Sequence, residues 1–150
     1  MKVKWSNDIY VANDKIAGIL IQNTLSSQYF QSSVIGIGIN INQTTFKSDA
    51  PNPISLHSLT GKEYDLDTML AELCQSIEFR YLQLKNGNFK KIETDYLQNM
   101  YRYLEEALYR RPDGEVFNGK IVGLTDIGKL LIDHNKGTEA FGFKEVAFVH

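Results

Sequence analysis

The chain has 150 residues, 43% of them hydrophobic and 11% aromatic, with 16 Lys+Arg against 18 Asp+Glu for a formal net charge of −2. That length suffices for one sizeable core, or one core and a small satellite domain, and the balanced charge excludes the strong basic excess of a dedicated nucleic-acid binder. No run approaches the roughly 18 uninterrupted apolar residues of a membrane-spanning helix and no secretory signal opens the chain, so a cytoplasmic location without membrane contact is expected.

In chain order, Ile9 to Gln22 reads as a hairpin, with β-branched flanks on either side of a turn at Asn13 and Asp14. A polar stretch, Asn23 to Ser33, leads to a third strand from Val34 to Ile41, whose continuous apolar character predicts a sheet covered on both faces. Residues 42–64 form a long irregular connection carrying Pro51 and Pro53, a length that in compact domains marks a lid, a binding loop or disorder. From Leu66 the apolar residues Met69, Leu70, Leu73, Cys74, Ile77, Tyr81 and Leu84 recur at helical spacing, capped by Asp65 or Asp67 and ended at Asn86-Gly87. A second helical pattern runs from about Phe89 to Leu108. Beyond Arg111-Pro112-Asp113-Gly114 the period returns to two, giving short strands at Glu115–Leu124, Lys129–Asp133 and Ala140–Val149. These last form a unit of fewer than about 40 residues, too small to fold alone, so it is expected to dock on the helices before it. The domain boundary is expected near residue 111, giving 1–111 and 112–150.

Familiar chemical signatures are mostly absent. Gly36-Ile37-Gly38 lacks the third glycine of a dinucleotide motif, since Ile41 stands there, and Gly61-Lys62-Glu63 is no phosphate loop. His57, His134 and His150 form no local triad or metal pattern and read as surface or loop residues, while Cys74, on the apolar stripe, reads as core. All four arginines lie beyond residue 79, so an anion site in the first half must use lysine or backbone N–H groups. What remains is three clusters: Lys4-Trp5-Ser6-Asn7-Asp8, Lys15-Ile16-Ala17-Gly18-Ile19-Leu20 and Gly36-Ile37-Gly38-Ile39-Asn40. Glycines inside apolar strands mark either a bulge or tight packing, or a close approach by ligand or backbone.

In this order and spacing the clusters resemble the biotin protein ligase family, whose pattern is Lys-Trp-Pro-Asn-Asp, Lys-(Ile/Leu)-Ala-Gly-(Ile/Val)-Leu and Gly-x-Gly-(Ile/Leu)-Asn. The resemblance continues through Ser55-Leu56 to Phe117-Asn118-Gly119-Lys120-Ile121-Val122-Gly123 and Phe143-Lys144-Glu145-Val146. It implies an α+β fold: a mixed β-sheet with helices on one face, as in class II synthetases, over 1–111, followed by a small SH3-like β-barrel over 112–150. It implies ATP-dependent formation of biotinyl-adenylate and transfer of biotin to a lysine of a biotin carboxyl carrier domain, with ATP, biotin and Mg2+ bound.

By the same resemblance Lys15 contacts the biotin carboxylate and the α-phosphate and is the catalytic cation. Gly18, Leu20, Gly36, Gly38 and Ile39 line the biotin pocket with it. Lys4 and Asn7 lie near the ATP phosphates, Asn7 also near the metal, and Asn40 reads adenine. The segment 42–53 corresponds to a loop that closes over the adenylate. Alternation along a regular strand sets Lys15 and Gly18 on opposite faces, so either the strand begins with a bulge or Lys15 reaches in from the turn. Ser6 replaces the family's proline, and Gln22 stands where Glu is common. The family's upstream Gly-Arg-Gly-Arg-x-Gly loop has no counterpart, and Asp8 matches the aspartate that pairs with one of its arginines. The chain is accordingly expected to be a truncated ligase. The alternative is a non-catalytic binding or assembly module, and an exposed sheet edge predicts a homodimer.

Overall fold

A computed structural model describes residues 1–26, 29–47 and 52–149, and these divide into two compact units, Met1–Glu93 and Thr94–His150. Within the first, four strands pair in chain order: β1 (Lys2–Lys4), β2 (Asp8–Val11), β3 (Asp14–Ser26) and β4 (Tyr29–Ile39). Among the described residues every ladder is antiparallel, and parallel pairing is confined to isolated bridges, Lys15 with Pro53 and Tyr103 with Ile121. The expected mixed sheet is thereby corrected. Two-residue connections such as Ala12-Asn13 can only join antiparallel strands, whereas parallel neighbours require a crossover of a dozen residues or more.

The β2–β3 hairpin forms where the sequence predicts it, although Ala12 rather than Asn13 takes the left-handed backbone (φ 51°). The polar stretch after Gln22 is not a connection: β3 and β4 run on as a two-stranded ribbon in which Asn23 faces Ser33, and Ser33 Oγ donates to Asn23 Oδ1 at 2.7 Å. Next to the Asn23–Ser33 pair stands Thr24 opposite Ser32, all four exposed and polar, so hydrophobic periodicity carries no sign of this part of the ribbon.

The connection after β4 contains a short helix, α1 (Leu56–Thr60), capped by Ser55 at its start and by Gly61 in the left-handed region (φ 70°) at its end. Helix α2 (Leu66–Lys85) starts on Asp65, whose Oδ1 accepts the Thr68 N–H at 2.9 Å. Ile77, Tyr81 and Leu84 of α2 share an apolar cavity of about 470 Å³ with Ile35 and Ile92. No residue of α2 is fully buried, and Cys74 is exposed; the core role expected for it is not realised, because the stripe it belongs to is only partly covered in this unit.

Helix α3 spans Phe89–Gln98, ten residues short of the predicted end. Arg102 (φ 59°) and Leu104 (φ 61°) turn the chain without glycine or proline to signal it. A second antiparallel sheet follows, in the order β8-β7-β6-β5-β9, from β5 (Glu106–Arg110), β6 (Val116–Leu124), β7 (Leu130–His134), β8 (Gly137–Phe141) and β9 (Ala147–Phe148). Its core is Met100, Tyr101, Tyr109, Ile121, Leu130, Ile132, Phe141 and Val146. His134, expected at the surface, is half-buried as a residue with its side chain only 4% exposed, and its Nε2 lies 3.2 Å from Glu139 Oε2.

Candidate active-site cleft

The functional geometry begins with a bulge. Asp8 faces Gly18 and Ile9 faces Ala17, but Tyr10 faces Lys15, so Ile16 is the extra residue in β3. Directly opposed residues in a sheet share a face, as do residues two apart, and Asp8 and Tyr10 therefore bring Gly18 and Lys15 onto the same face. Of the two ways to reconcile the lysine with the glycine, the strand uses the bulge. The row extends both ways through register partners, from Lys4 to Asp8 to Gly18 to Gly38, with Leu20 opposite Gly36 on the same face. The alternate residues Ile19, Ile21, Ile35 and Ile37 occupy the other face, where Ile35 meets α2. The apolar run in β4 thus resolves into an isoleucine face only partly covered, with Ile21 and Ile35 exposed, and a face on which β4 presents Gly36 and Gly38; the cover expected on both faces is not found in this unit.

On the glycine face a cavity of about 350 Å³ is lined by Lys15, Ala17, Gly18, Gly38, Ile39, Asn40 and Gln43. Lys15 is three-quarters buried and its Nζ lies 2.7 Å from Asp8 Oδ1. It reaches that partner by lying across Gly18, where a Cβ would stand 3.3 Å from both Lys15 Cε and Nζ. Lys4 is held farther along the row, its Nζ 3.3 Å from the hydroxyl of buried Tyr10 and 4.6 Å from the ring centroid. Asn40 closes the far end: its N–H donates to Ile16 O at 2.9 Å and its Nδ2 to Ile54 O at 3.1 Å.

Of the residues singled out from the sequence, Lys15, Gly18, Gly38, Ile39 and Asn40 meet in this cavity. Lys4, Asn7, Leu20 and Gly36 lie outside its lining. Asn7 sits in the β1–β2 turn, where its carbonyl accepts the Ile19 N–H at 2.9 Å, and Leu20 is largely exposed. Gln43 joins the lining without having been anticipated; its only sequence signal is its place three residues beyond Asn40, in the segment expected to close over a ligand. Of that segment, residues 48–51 lie outside the described residues. Asp8, matched in sequence to an arginine partner, is paired instead with Lys15. Among the described residues no three His, Cys, Asp or Glu side chains are arranged to hold a metal ion, and no helix is long and apolar enough to cross a membrane.

Chemically, the cleft offers one cation beside bare glycine backbone and, opposite it, a carboxamide. That suits a ligand with an anionic centre, a flat body laid against main chain and a hydrogen-bonding edge. Comparison with known proteins points the same way. Residues 1–40 match the model of the biotin/lipoate A/B protein ligase family. The chain is 27% identical to the biotin–[acetyl-CoA-carboxylase] ligase of Paracoccus denitrificans over 99% of its own length and 63% of that protein's. It is 30% identical to the bifunctional ligase/repressor BirA of Bacillus subtilis, over 90% of this chain and 42% of that one. The apo biotin protein ligase of Aquifex aeolicus superposes with a TM-score of 0.79 at 27% identity, covering 99% of this chain and 65% of that one. The same enzyme in complex with biotin and ATP gives a TM-score of 0.75. The chain therefore spans between two fifths and two thirds of the length of these relatives.

Proposed function

This chain is a homologue of the biotin protein ligases that matches their C-terminal portion, and from that premise we propose that its cleft serves ATP-dependent biotinylation. In the first step a biotin carboxylate oxygen attacks the α-phosphorus of ATP, the bond to the β-phosphate oxygen breaks, and pyrophosphate leaves. In the second, the amine of a carrier lysine attacks the acyl carbon of the adenylate, releasing AMP and forming an amide. The carrier is the biotin carboxyl carrier domain of a biotin-dependent carboxylase.

The first step drives one anion onto another, so its barrier depends on a cation fixed where the charges meet. We assign that role to Lys15. Its ammonium must exchange Asp8 for the incoming carboxylate and phosphate, and the glycine row from Gly18 to Gly38, with Leu20, Gly36 and Ile39, gives the ring system backbone to lie against. Asn40 is assigned to adenine, whose edge offers both a donor and an acceptor to a carboxamide. Lys4 and Asn7 are assigned to the phosphates. Asn7 would supply its side-chain oxygen to a Mg2+ bound with the nucleotide, and that ion would supply neutralisation of the phosphate charge. Two finer points complete the reading: the five-stranded sheet of the second unit is the SH3-like barrel of the family, and the β4 edge, with exposed Val34 and Ile35, pairs with a second copy of the chain.

The observation that carries the proposal is the convergence of Lys15 and Asn40 on one cavity floored by Gly18 and Gly38. The test is biotin-dependent exchange of labelled pyrophosphate into ATP, measured on this chain alone and again with a polypeptide carrying the Gly-Arg-Gly-Arg-x-Gly loop. Exchange in either condition that is abolished by Lys15→Ala is the expected result. No exchange in both conditions favours a non-catalytic module.

A further inference from the structure

Lys15 and Asn40 belong to different strands, and what joins them is a strap of backbone, residues 52–57, that enters neither strand. On one side the Lys15 N–H donates to Asn52 O at 2.8 Å and the Ile54 N–H donates to Lys15 O at 3.0 Å. On the other, Asn40 Nδ2 donates to Ile54 O at 3.1 Å, the Leu56 N–H to Asn40 O at 3.0 Å and the His57 N–H to Ile41 O at 2.8 Å. The two polar groups of Ile54 are thus divided between the two ends of the cleft. Any shift of the strap moves the lysine and the carboxamide relative to each other.

Ser55 fixes the strap. It is the one fully buried polar residue among those described (0% exposed). A hydroxyl has one proton and two acceptor positions, and all three are used. Oγ donates to Gln43 O at 2.6 Å, accepts the Ser58 N–H at 3.0 Å as the cap of α1, and lies 2.9 Å from Ser58 Oγ, whose proton it then accepts. A five-residue helix has no stability of its own, so α1 depends on that cap. The same oxygen anchors Gln43, which lines the cavity.

We propose that Ser55 is a positioning residue of the cleft, setting the separation of Lys15 and Asn40 through the strap and the place of Gln43 through its carbonyl. The functional half of this inference rests on the nucleotide-binding reading given above.

The test compares Ser55→Ala, Ser55→Thr, which keeps the hydroxyl, and Asp65→Ala, which removes an exposed cap on α2 outside the cleft. Amide hydrogen exchange is read residue by residue, and ATP affinity is read by titration. Loss of a cap with its partner bond predicts, for Ser55→Ala, exchange at Lys15 and Ile54 faster by about tenfold and ATP affinity weaker by about tenfold. Threonine is expected to restore both, and Asp65→Ala to change neither. Unchanged exchange at Lys15 and Ile54 overturns the strap's dependence on Ser55. A loosened strap with ATP affinity intact overturns positioning. If the parent chain binds no ATP while Ser55→Ala still loosens the strap, the nucleotide reading falls, and the functional role of Ser55 falls with it.

Discussion

Gly18 is small because Lys15 lies over it. Alanine there adds a Cβ at 3.3 Å from the lysine's Cε and Nζ and 3.5 Å from Asp8 Oδ1, so the ammonium must give way by a few tenths of an ångström. Backbone strain is not involved, and alanine loses less conformational freedom than glycine in a strand, worth about 0.5–1 kcal/mol in its favour. Gly18→Ala is therefore expected to leave the melting temperature unchanged or slightly raised, while pyrophosphate exchange falls by about tenfold through displacement of the cation. Lys15→Ala is expected to cost about 3 kcal/mol in the barrier, and little in stability, because the partly exposed pair with Asp8 contributes less than about 1 kcal/mol. A fall in stability that matched the fall in activity would contradict both. In the second unit, Tyr109 is fully buried between Phe117 and Phe148, and its hydroxyl has no hydrogen-bond partner among the described residues. Burial pushes that phenol up to about 12, with smaller opposing and reinforcing effects from Arg102, Glu105 and Glu106. A raised acid favours folding below the unfolded value of 10 and loses that contribution as pH rises through 12. Tyr109→Phe is expected to raise stability at neutral pH by about 1 kcal/mol and to flatten the alkaline limb of the stability profile, as read by denaturant unfolding at pH 7 and above 10.

Among the elements of the second sheet, β8 is tied to the β5–β6 turn by charge. The Arg111 guanidinium meets Glu139 through two hydrogen bonds, Nη1 to Oε1 at 2.8 Å and Nη2 to Oε2, and stacks over Phe117 and Phe141. Hydrogen bonding from Arg111 is the largest of the effects that hold the Glu139 carboxyl down to about 2, with His134 adding to it. A depressed carboxylate stabilises the fold fully above its ordinary value of 4.5, and the contribution fades as pH falls from there toward 2. Glu139→Gln is expected to weaken the fold above pH 4.5 and to remove this part of the acid dependence; parallel acid-unfolding curves for the two proteins would refute it. None of this pairing was legible in the sequence, because Arg111 and Glu139 are 28 residues apart and meet only through strand register. The β2–β3 hairpin and α2 were legible, since each announces itself by local chemistry: branched residues around a turn, and an Asp cap before a helical period. The β3–β4 ribbon, α1, the early end of α3 and β5 were not: α1 and β5 span five residues each, too few to show a period even with Gly61 and Pro112 beyond their ends, and the ribbon and the end of α3 carry neither an apolar period nor a glycine or proline. At the cleft the glycine motifs gave the floor, and the alternation conflict between Lys15 and Gly18 offered a bulge as one of two resolutions; the choice of the bulge, its place at Ile16 and the strap held by Ser55 are matters of register and hydrogen bonding that composition does not carry.

The molecule as a whole distributes its buried surface unevenly. Among the described residues most buried apolar side chains lie in Thr94–His150, although that unit is the smaller; Met1–Glu93 contributes Tyr10, Ile16 and Ala17 and leaves Leu20, Leu25, Val34, Leu70 and Phe79 about 60% exposed or more. Local opening costs little where few apolar contacts must be broken, so the two units are expected to differ in how they exchange amide hydrogens. The slowest amides should be those of β6 and β7, around Ile121, Leu130 and Ile132, each with no exposed surface. Residues 23–26 and 31–33 of the β3–β4 ribbon, all exposed, should exchange orders of magnitude faster. Between these limits stands the cleft, where Lys15 and Ala17 are paired to β2 on one side and Lys15 also to the strap on the other. Biotin with ATP is expected to slow exchange there and at Asn40, and to leave β6 and β7 unchanged, because a ligand protects only those openings that destroy its site. Protection that instead rose uniformly across both units, or appeared first at the second sheet, would locate the ligand elsewhere and detach the glycine face from the chemistry assigned to it.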